Sequence, residues 1–298
     1  MDLVYDFIRN GLQVLVQKGA LPDEFKYGFV INSLLCACLV GPVLGALGTI
    51  VIVKRLAFFS SAVGNAAITG IALGILFGEP VSAPYVSLIS FALLFALLLN
   101  FVRTKTDMPQ DALIAVFLAA SLAAGSALMF SVTRTINIHI LDSFLFGSIL
   151  TTSYSDITLL LVTGGLAVIA CGFYFNRLLL SGLDPVLAGV RGVRVTVANY
   201  LFVIIVALVT VASIKTVGAI LVEALLIIPA AASRNISSSL KSFVLWSVIF
   251  GTVSAVAGIV LPVHFDISIP SGAAIIICAT GIFVITLVIR MFRVRQTV

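Results

Sequence analysis

Charge is scarce in this chain. Asp, Glu, Lys and Arg make up 10% of its 298 residues, against 61% hydrophobic residues. A soluble domain carries about 25% charged residues, and no globular core could hide so much apolar surface. With a mean hydropathy of +1.25, lipid has to be the solvent, which excludes a water-soluble enzyme or binding module. Histidine occurs twice and cysteine four times. Cys36, Cys38, Cys171 and Cys278 form no CxxC pair and lie in apolar segments, so they read as packing residues rather than a zinc cluster or disulfide framework. No GxxxxGK[ST] phosphate loop is present, so any ATP that powers this chain binds another polypeptide. No HExxH, Ser/His or paired-carboxylate arrangement stands at membrane depth, and no catalytic residue is expected. Lys and Arg outnumber acids 17 to 12, but in a membrane chain their location matters more than the sum, and no nucleic-acid partner follows.

What is present is a succession of apolar runs. Crossing the hydrocarbon takes about 20 such residues in helix. The runs predict spans over 27–53, 57–78, 84–103, 110–131, 157–177, 196–214, 217–233, 241–263 and 271–291. Eight to ten spans fit, because "IKTVG" between the sixth and seventh reads as a tight turn or a broken helix. The expected fold is an all-α, polytopic helix bundle over 26–298 with short loops. Residues 1–25 form a separate N-terminal element. There Leu3, Val4, Phe7, Ile8, Leu12 and Leu15 share one helical face and Asp2, Asp6, Arg9 and Gln13 the other, the pattern of an interfacial amphipathic helix. Spaced glycines such as Gly41/Gly45 and Gly70/Gly74 predict close helix packing.

With the first span running outside to inside, one side of the bundle collects twelve cations against three acids, and the other five cations against eight acids. This asymmetry places the C-terminus in the cytoplasm. Among the extramembrane stretches, "LDPVLAGVRG" starts with Asp184 as an N-cap and Pro185 in the first turn, and Gly192 can stop it. It predicts a short surface helix at about 183–193, either an ordinary connection or a docking element for a soluble partner.

Five stretches carry a resemblance. "GTIVIVKRLAFFSSAVGNAAITGIALG", "LDSFLFGSIL", "LDPVLAGVRGV", "VGAILVEALLIIPAAASR" and "DISIPSGAAIII" occur in this order between about 27 and 292. Together they resemble the permease subunits of bacterial ABC importers for zinc, manganese or iron. The resemblance implies a multi-pass protein of the cytoplasmic membrane with no cofactor of its own. It implies a second permease copy or paralogue, an ABC ATPase dimer that binds the ATP, and a periplasmic or lipoprotein metal-binding protein. It makes the 183–193 helix the coupling helix seated on the ATPases, with Asp184, Pro185, Ala188, Arg191 and Gly192 as its contact residues.

The same resemblance gives a reason for polar groups in the second span. There the family usually has a stretch like GDALSHAxLPG, whose Asp and His face the path and bind metal. This chain has Ser61 and Asn65 at those positions, and Thr69 in place of the family's proline. A spacing of four keeps Ser61 and Asn65 on one helical face, but a hydroxyl and an amide bind a divalent ion more weakly than carboxylate and imidazole. Glu223, read as mid-span, is the acid that could compensate. An intramembrane carboxyl is costly and faces a pathway or a partner, and Pro229 beyond it can free backbone carbonyls. Ser61, Asn65 and Glu223 are therefore expected to line the translocation path, with Asn65 and Glu223 as candidate metal ligands. His139 with Asp142, and His264 with Asp266, are weaker candidates for an outer cation site. Three alternatives stay open: carriage of a chelated metal, a ligand-poor partner in a heterodimer, and an ATP-independent secondary transporter.

Overall fold

A computed structural model of the chain describes residues 28–80, 84–106, 108–133, 154–265 and 269–295. The N-terminal element, His139, Asp142 and Asp266 lie outside the described residues. Among the described residues there are ten helices and no strand, and nine of the helices are long and apolar enough to cross a membrane. Lipid offers the backbone no hydrogen bonds, so each span satisfies its own amides and carbonyls within a helix. In chain order the helices are α1 (Gly28–Val53), α2 (Phe59–Leu76), α3 (Tyr85–Lys105), α4 (Gln110–Thr133), α5 (Tyr154–Leu183), the short α6 (Pro185–Val190), α7 (Val195–Val217), α8 (Ala219–Ile236), α9 (Leu240–His264) and α10 (Ser271–Arg295).

Burial sorts them into layers. α1, α2 and α7 form the centre, whereas α4, α5 and α10 keep most of their surface outward. Close packing depends on small residues, as the spaced glycines predict. A Cβ on Gly41 would lie 2.8 Å from the Gly251 carbonyl oxygen, and one on Gly45 2.6 Å from that of Ser247. α1 and α9 therefore touch backbone to backbone, and the Ser247 hydroxyl donates to the Gly45 carbonyl at 2.6 Å. Gly70 brings α2 against the Ser87 carbonyl in the first turn of α3, and Gly74 leaves room for the Ser87 side chain. Such contacts replace the hydrophobic drive that lipid removes.

Two boundaries differ from the sequence reading. The fifth span does not stop at Arg177. Helix α5 continues to Leu183, because Leu178, Leu179 and Ser181 are buried against the bundle while Arg177 stays exposed and lies over the Tyr174 ring. The connection between the fifth and sixth spans is correspondingly shorter than the 177–195 loop expected. The break between the sixth and seventh spans narrows to one residue, Gly218, at φ +92°. Only glycine adopts that angle without strain, and it lets α7 end at Val217 and α8 start at Ala219.

Candidate functional site

The polar residues of α2 stand where that helix meets the α7–α8 break. Gly64, between Ser61 and Asn65, packs against Ile214 of α7 and Ala219 of α8. Irregular backbone at membrane depth is tolerated where protein surrounds it or where it lines a cavity. Glu223 sits one turn into α8, beside this break rather than at the middle of the helix as the sequence reading had it. The Ser61 side chain lies near the Glu223 carboxyl. Asn65 points back along its own helix, donating from Nδ2 to the Ser61 carbonyl at 3.1 Å. That leaves its Oδ1 accepting no hydrogen bond from the described residues. All three side chains are half-buried.

The helix that presents them is anchored by Thr69, whose hydroxyl approaches the Asn65 carbonyl at 3.2 Å and the Ser121 carbonyl of α4 at 3.1 Å. Thr69 thus stitches α2 to α4, helped by Gly125, whose missing side chain leaves room for that hydroxyl.

The donor set is narrow. Among the described residues no group of three His, Cys, Asp or Glu side chains is placed to hold a metal ion. The candidate donors are the carboxylate of Glu223, the hydroxyl of Ser61 and, one turn further along α2, the amide oxygen of Asn65, all of them oxygens. His264 is exposed at the end of α9 with its ring edge-on to Phe265, on a different element from the three.

The short α6 has the caps its sequence suggests. Asp184 Oδ1 accepts from the amides of Val186 and Leu187 at 3.0 and 2.9 Å, and Pro185 opens the helix. At its other end the Gly192 and Val193 amides close onto the carbonyls of Gly189 and Ala188, with Gly192 at φ +74°. Ala188 is buried and holds α6 to the bundle, whereas Val186 and Val190 are 78% and 82% exposed. Two apolar side chains are thus directed outward from a capped helix. Arg191, at the C-cap, is exposed beside them.

A residue that charge counting placed at the surface is instead inside. Lys54, one residue past the end of α1, is 5% exposed. Its Nζ donates to Ser181 Oγ and to Asn199 Oδ1, both at 2.8 Å, and lies 5.5 Å from the Phe202 ring centroid. Burial, and after it the Arg103 charge, brings its ammonium down from the ordinary lysine value to about 8. Arg55, next to it, is the one non-glycine residue at positive φ (+54°) among the described residues.

Residues 26–290 match the ABC 3 transport family. The chain belongs to this family. It is 30% identical over 266 residues to the manganese transport system membrane protein MntC of Listeria innocua, covering 89% of this chain and 92% of that protein. It is 28% identical over 262 residues to the high-affinity zinc uptake system membrane protein ZnuB of Haemophilus influenzae, covering 88% and 97%. Among solved structures it is similar to PsaBC from Streptococcus pneumoniae in complex with Fab, at 29% identity and a TM-score of 0.75, over 88% of this chain and 91% of that one. Helix content, span number and family membership agree with the fold and family expected from the sequence.

Proposed function

We propose that this chain is the transmembrane permease subunit of an ABC importer that carries a divalent transition-metal ion, manganese before zinc, into the cytoplasm. The metal preference rests on Glu223 beside Ser61 near the α7–α8 break, with Asn65 one turn further along α2, all of them oxygen donors. Carboxylate and carbonyl oxygens suit the harder ions, whereas zinc favours imidazole and thiolate. The relatives support a metal cargo, being named for manganese and zinc transport. In this reading Glu223 supplies the charge that draws the cation in. Asn65 and Ser61 supply neutral oxygens, and the binding is weak enough to release the cargo at each turnover.

The engine is separate. Helix α6 with Asp184, Pro185, Arg191 and Gly192 is the coupling element; Ala188, expected among its contact residues, is buried and holds α6 to the bundle instead, and the exposed Val186 and Val190 fit an apolar groove of a cytoplasmic ATPase dimer. That orientation puts the C-terminus in the cytoplasm, in agreement with the charge asymmetry. The complex takes a second permease and a periplasmic or lipoprotein metal-binding protein. This chain itself carries no catalytic residue.

The test is uptake of radiolabelled manganese and zinc by proteoliposomes holding the assembled complex, with and without ATP. ATP-dependent manganese uptake is expected, and Glu223→Gln should lower it by roughly 100-fold, the loss of about 2.7 kcal/mol. Uptake driven by an ion gradient without any ATPase would overturn the reading in favour of a secondary transporter. In one variant of this proposal a second, different permease supplies stronger ligands than the hydroxyl and amide of Ser61 and Asn65. Mass spectrometry of the isolated complex separates the two: one permease sequence for the homodimer, two for the heterodimer.

A further inference from the structure

The Lys54 cluster is the part of the molecule that the transport site and the α6 surface leave unexplained. Its neighbours in space come from distant parts of the chain. Ser181 is in the last turn of α5, three residues before the Asp184 that caps α6. Asn199 is in the second turn of α7, which follows α6. Lys54 itself lies between the end of α1 and the start of α2 at Phe59. One ammonium therefore joins both flanks of α6 to the root of the helix that carries Ser61 and Asn65.

The backbone around it is built to aim it. The Arg55 amide bonds the Ile52 carbonyl and the Leu56 amide bonds the Val51 carbonyl, the paired bonds of a Schellman helix end. The left-handed position of that motif is normally glycine, and here it is Arg55, at a cost of roughly 1 kcal/mol or more. Leu56 and Val51 are buried, which locks the turn, so the side chain before it has to go inward. On the other side Gly182 admits it. A Cβ there would lie 2.9 Å from Lys54 Cγ.

The bonding is nearly saturated. Ser181 Oγ gives its own proton to the Leu178 carbonyl at 2.8 Å, so it accepts from lysine. An ammonium has three N–H donors. Two are used in these bonds, and the Phe202 ring lies on the cation. Among the described residues no carboxylate pairs with it, and Arg103 and Arg55 add like charge nearby. A buried charge without a counter-ion is a poor stabiliser compared with an apolar side chain of the same size. Its position joins three chain segments, which an apolar side chain could not do directionally. A cleft of about 530 Å³, lined by Arg55, Arg103, Leu183 and Pro185 among others, opens beside it at the start of α6.

We propose that Lys54 is a positioning residue, the tether through which movement of α6 reaches α2 and so opens or closes the transport site. This rests on the permease reading. A rigid-body shift of α6 drags the end of α5 and the start of α7, and the two 2.8 Å bonds to Lys54 pass that shift to the α1–α2 turn.

The experiment compares metal uptake and ATP hydrolysis by the assembled complex for wild type, Lys54→Met, Lys54→Arg, Ser181→Ala and Asn199→Leu. The tether predicts that Lys54→Met keeps ATP hydrolysis within about twofold while metal moved per ATP falls by tenfold or more. Lys54→Arg, which keeps the donors, should recover part of that ratio, and the two acceptor variants should lower it less than Lys54→Met does. A purely structural lysine would lower both activities together, and an unchanged ratio in all four variants would also overturn the proposal. A second measurement does not depend on transport or on Lys54→Met alone. In thermal unfolding of the full chain in detergent, the loss in Tm from Ser181→Ala should shrink when Asn199→Leu is already present, because both act through one ammonium. Additive losses would sink the tether even if metal transport failed to appear.

Discussion

Glu223 and Lys54 are both ionisable groups drawn into a helix bundle, and both are met by neutral side chains. They differ in what is left over. A carboxylate offers about four lone-pair sites, and beside that of Glu223 lies the Ser61 side chain. The ammonium of Lys54 has three donors, and two strong bonds and an aromatic face engage it. The acid keeps capacity to exchange partners, and the base is bound on nearly every side. Geometry reinforces the contrast. Glu223 stands beside a one-residue helix break at Gly218, and Lys54 stands in a locked helix end where the Arg55 backbone is held in the left-handed region. One arrangement suits a group that binds and releases, the other a group that transmits force.

The sharpest way to break that contrast is to give the acid's neighbours the ligands they lack. Ser61→Asp with Asn65→His places a second carboxylate and an imidazole on the same face of α2, four residues apart. Imidazole shifts preference toward zinc. The expected outcome is a rise in the zinc-to-manganese uptake ratio of roughly tenfold or more, about 1.4 kcal/mol of discrimination, read by competition in proteoliposomes. A ratio unchanged from wild type would mean that these side chains do not face the cargo. The same double variant should leave metal moved per ATP unaltered at saturating manganese, since it does not touch the Lys54 cluster.

A smaller effect is expected from loosening the platform on which the acid's partners sit. Thr69→Val removes the hydroxyl that joins α2 to the Ser121 carbonyl of α4 while keeping the side chain's shape. Losing one buried hydrogen bond costs about 1 kcal/mol. A drop of a few degrees in Tm and a modest fall in uptake follow, with no change in metal preference. If Thr69→Val altered selectivity as strongly as the Asp/His pair, the preference would reside in the placement of α2 rather than in its ligands.

These two centres also mark where sequence reasoning ends. The spans were legible because lipid enforces long apolar runs bounded by charge. The α6 caps were legible because Asp184, Pro185 and Gly192 act within a few residues of one another. The Gly41/Gly45 and Gly70/Gly74 seams could be read because small residues at a spacing of four have one strong use in lipid. Lys54 could not be read. A lysine at the end of an apolar run is assigned to the aqueous face by its charge, and its acceptors are 127 and 145 residues away along the chain. The continuation of α5 past Arg177 was hidden for a related reason. A charged residue looks like a boundary until neighbours such as Leu178 and Leu179 are seen to be buried. Thr69 could be named as a departure from its family, but its bond to α4 depends on packing that no local pattern encodes.

The subtlest difference between the acid and the base is in how pH acts on the base. The native Lys54 ammonium gives up its proton near pH 8, whereas in the unfolded chain it keeps it until near 10.5. Below pH 8 both states are charged, and the cost of burying the charge is present in full. Between about 8 and 10.5 the unfolded chain binds more protons than the native one, so this group's contribution makes the fold more stable as pH rises. Lys54→Met has no such group, and every other titrating side chain is common to the two proteins. The wild-type Tm minus the Lys54→Met Tm should therefore be flat from pH 6.5 to 7.5 and climb from about pH 8 to 9.5, by a few degrees at most. The amine that remains above pH 8 still has two N–H groups for Ser181 and Asn199, so the bonds survive the loss of charge. A difference that stayed constant across the whole range would place the ammonium in contact with water, and the contrast between a binding acid and a tethering base would lose its second half.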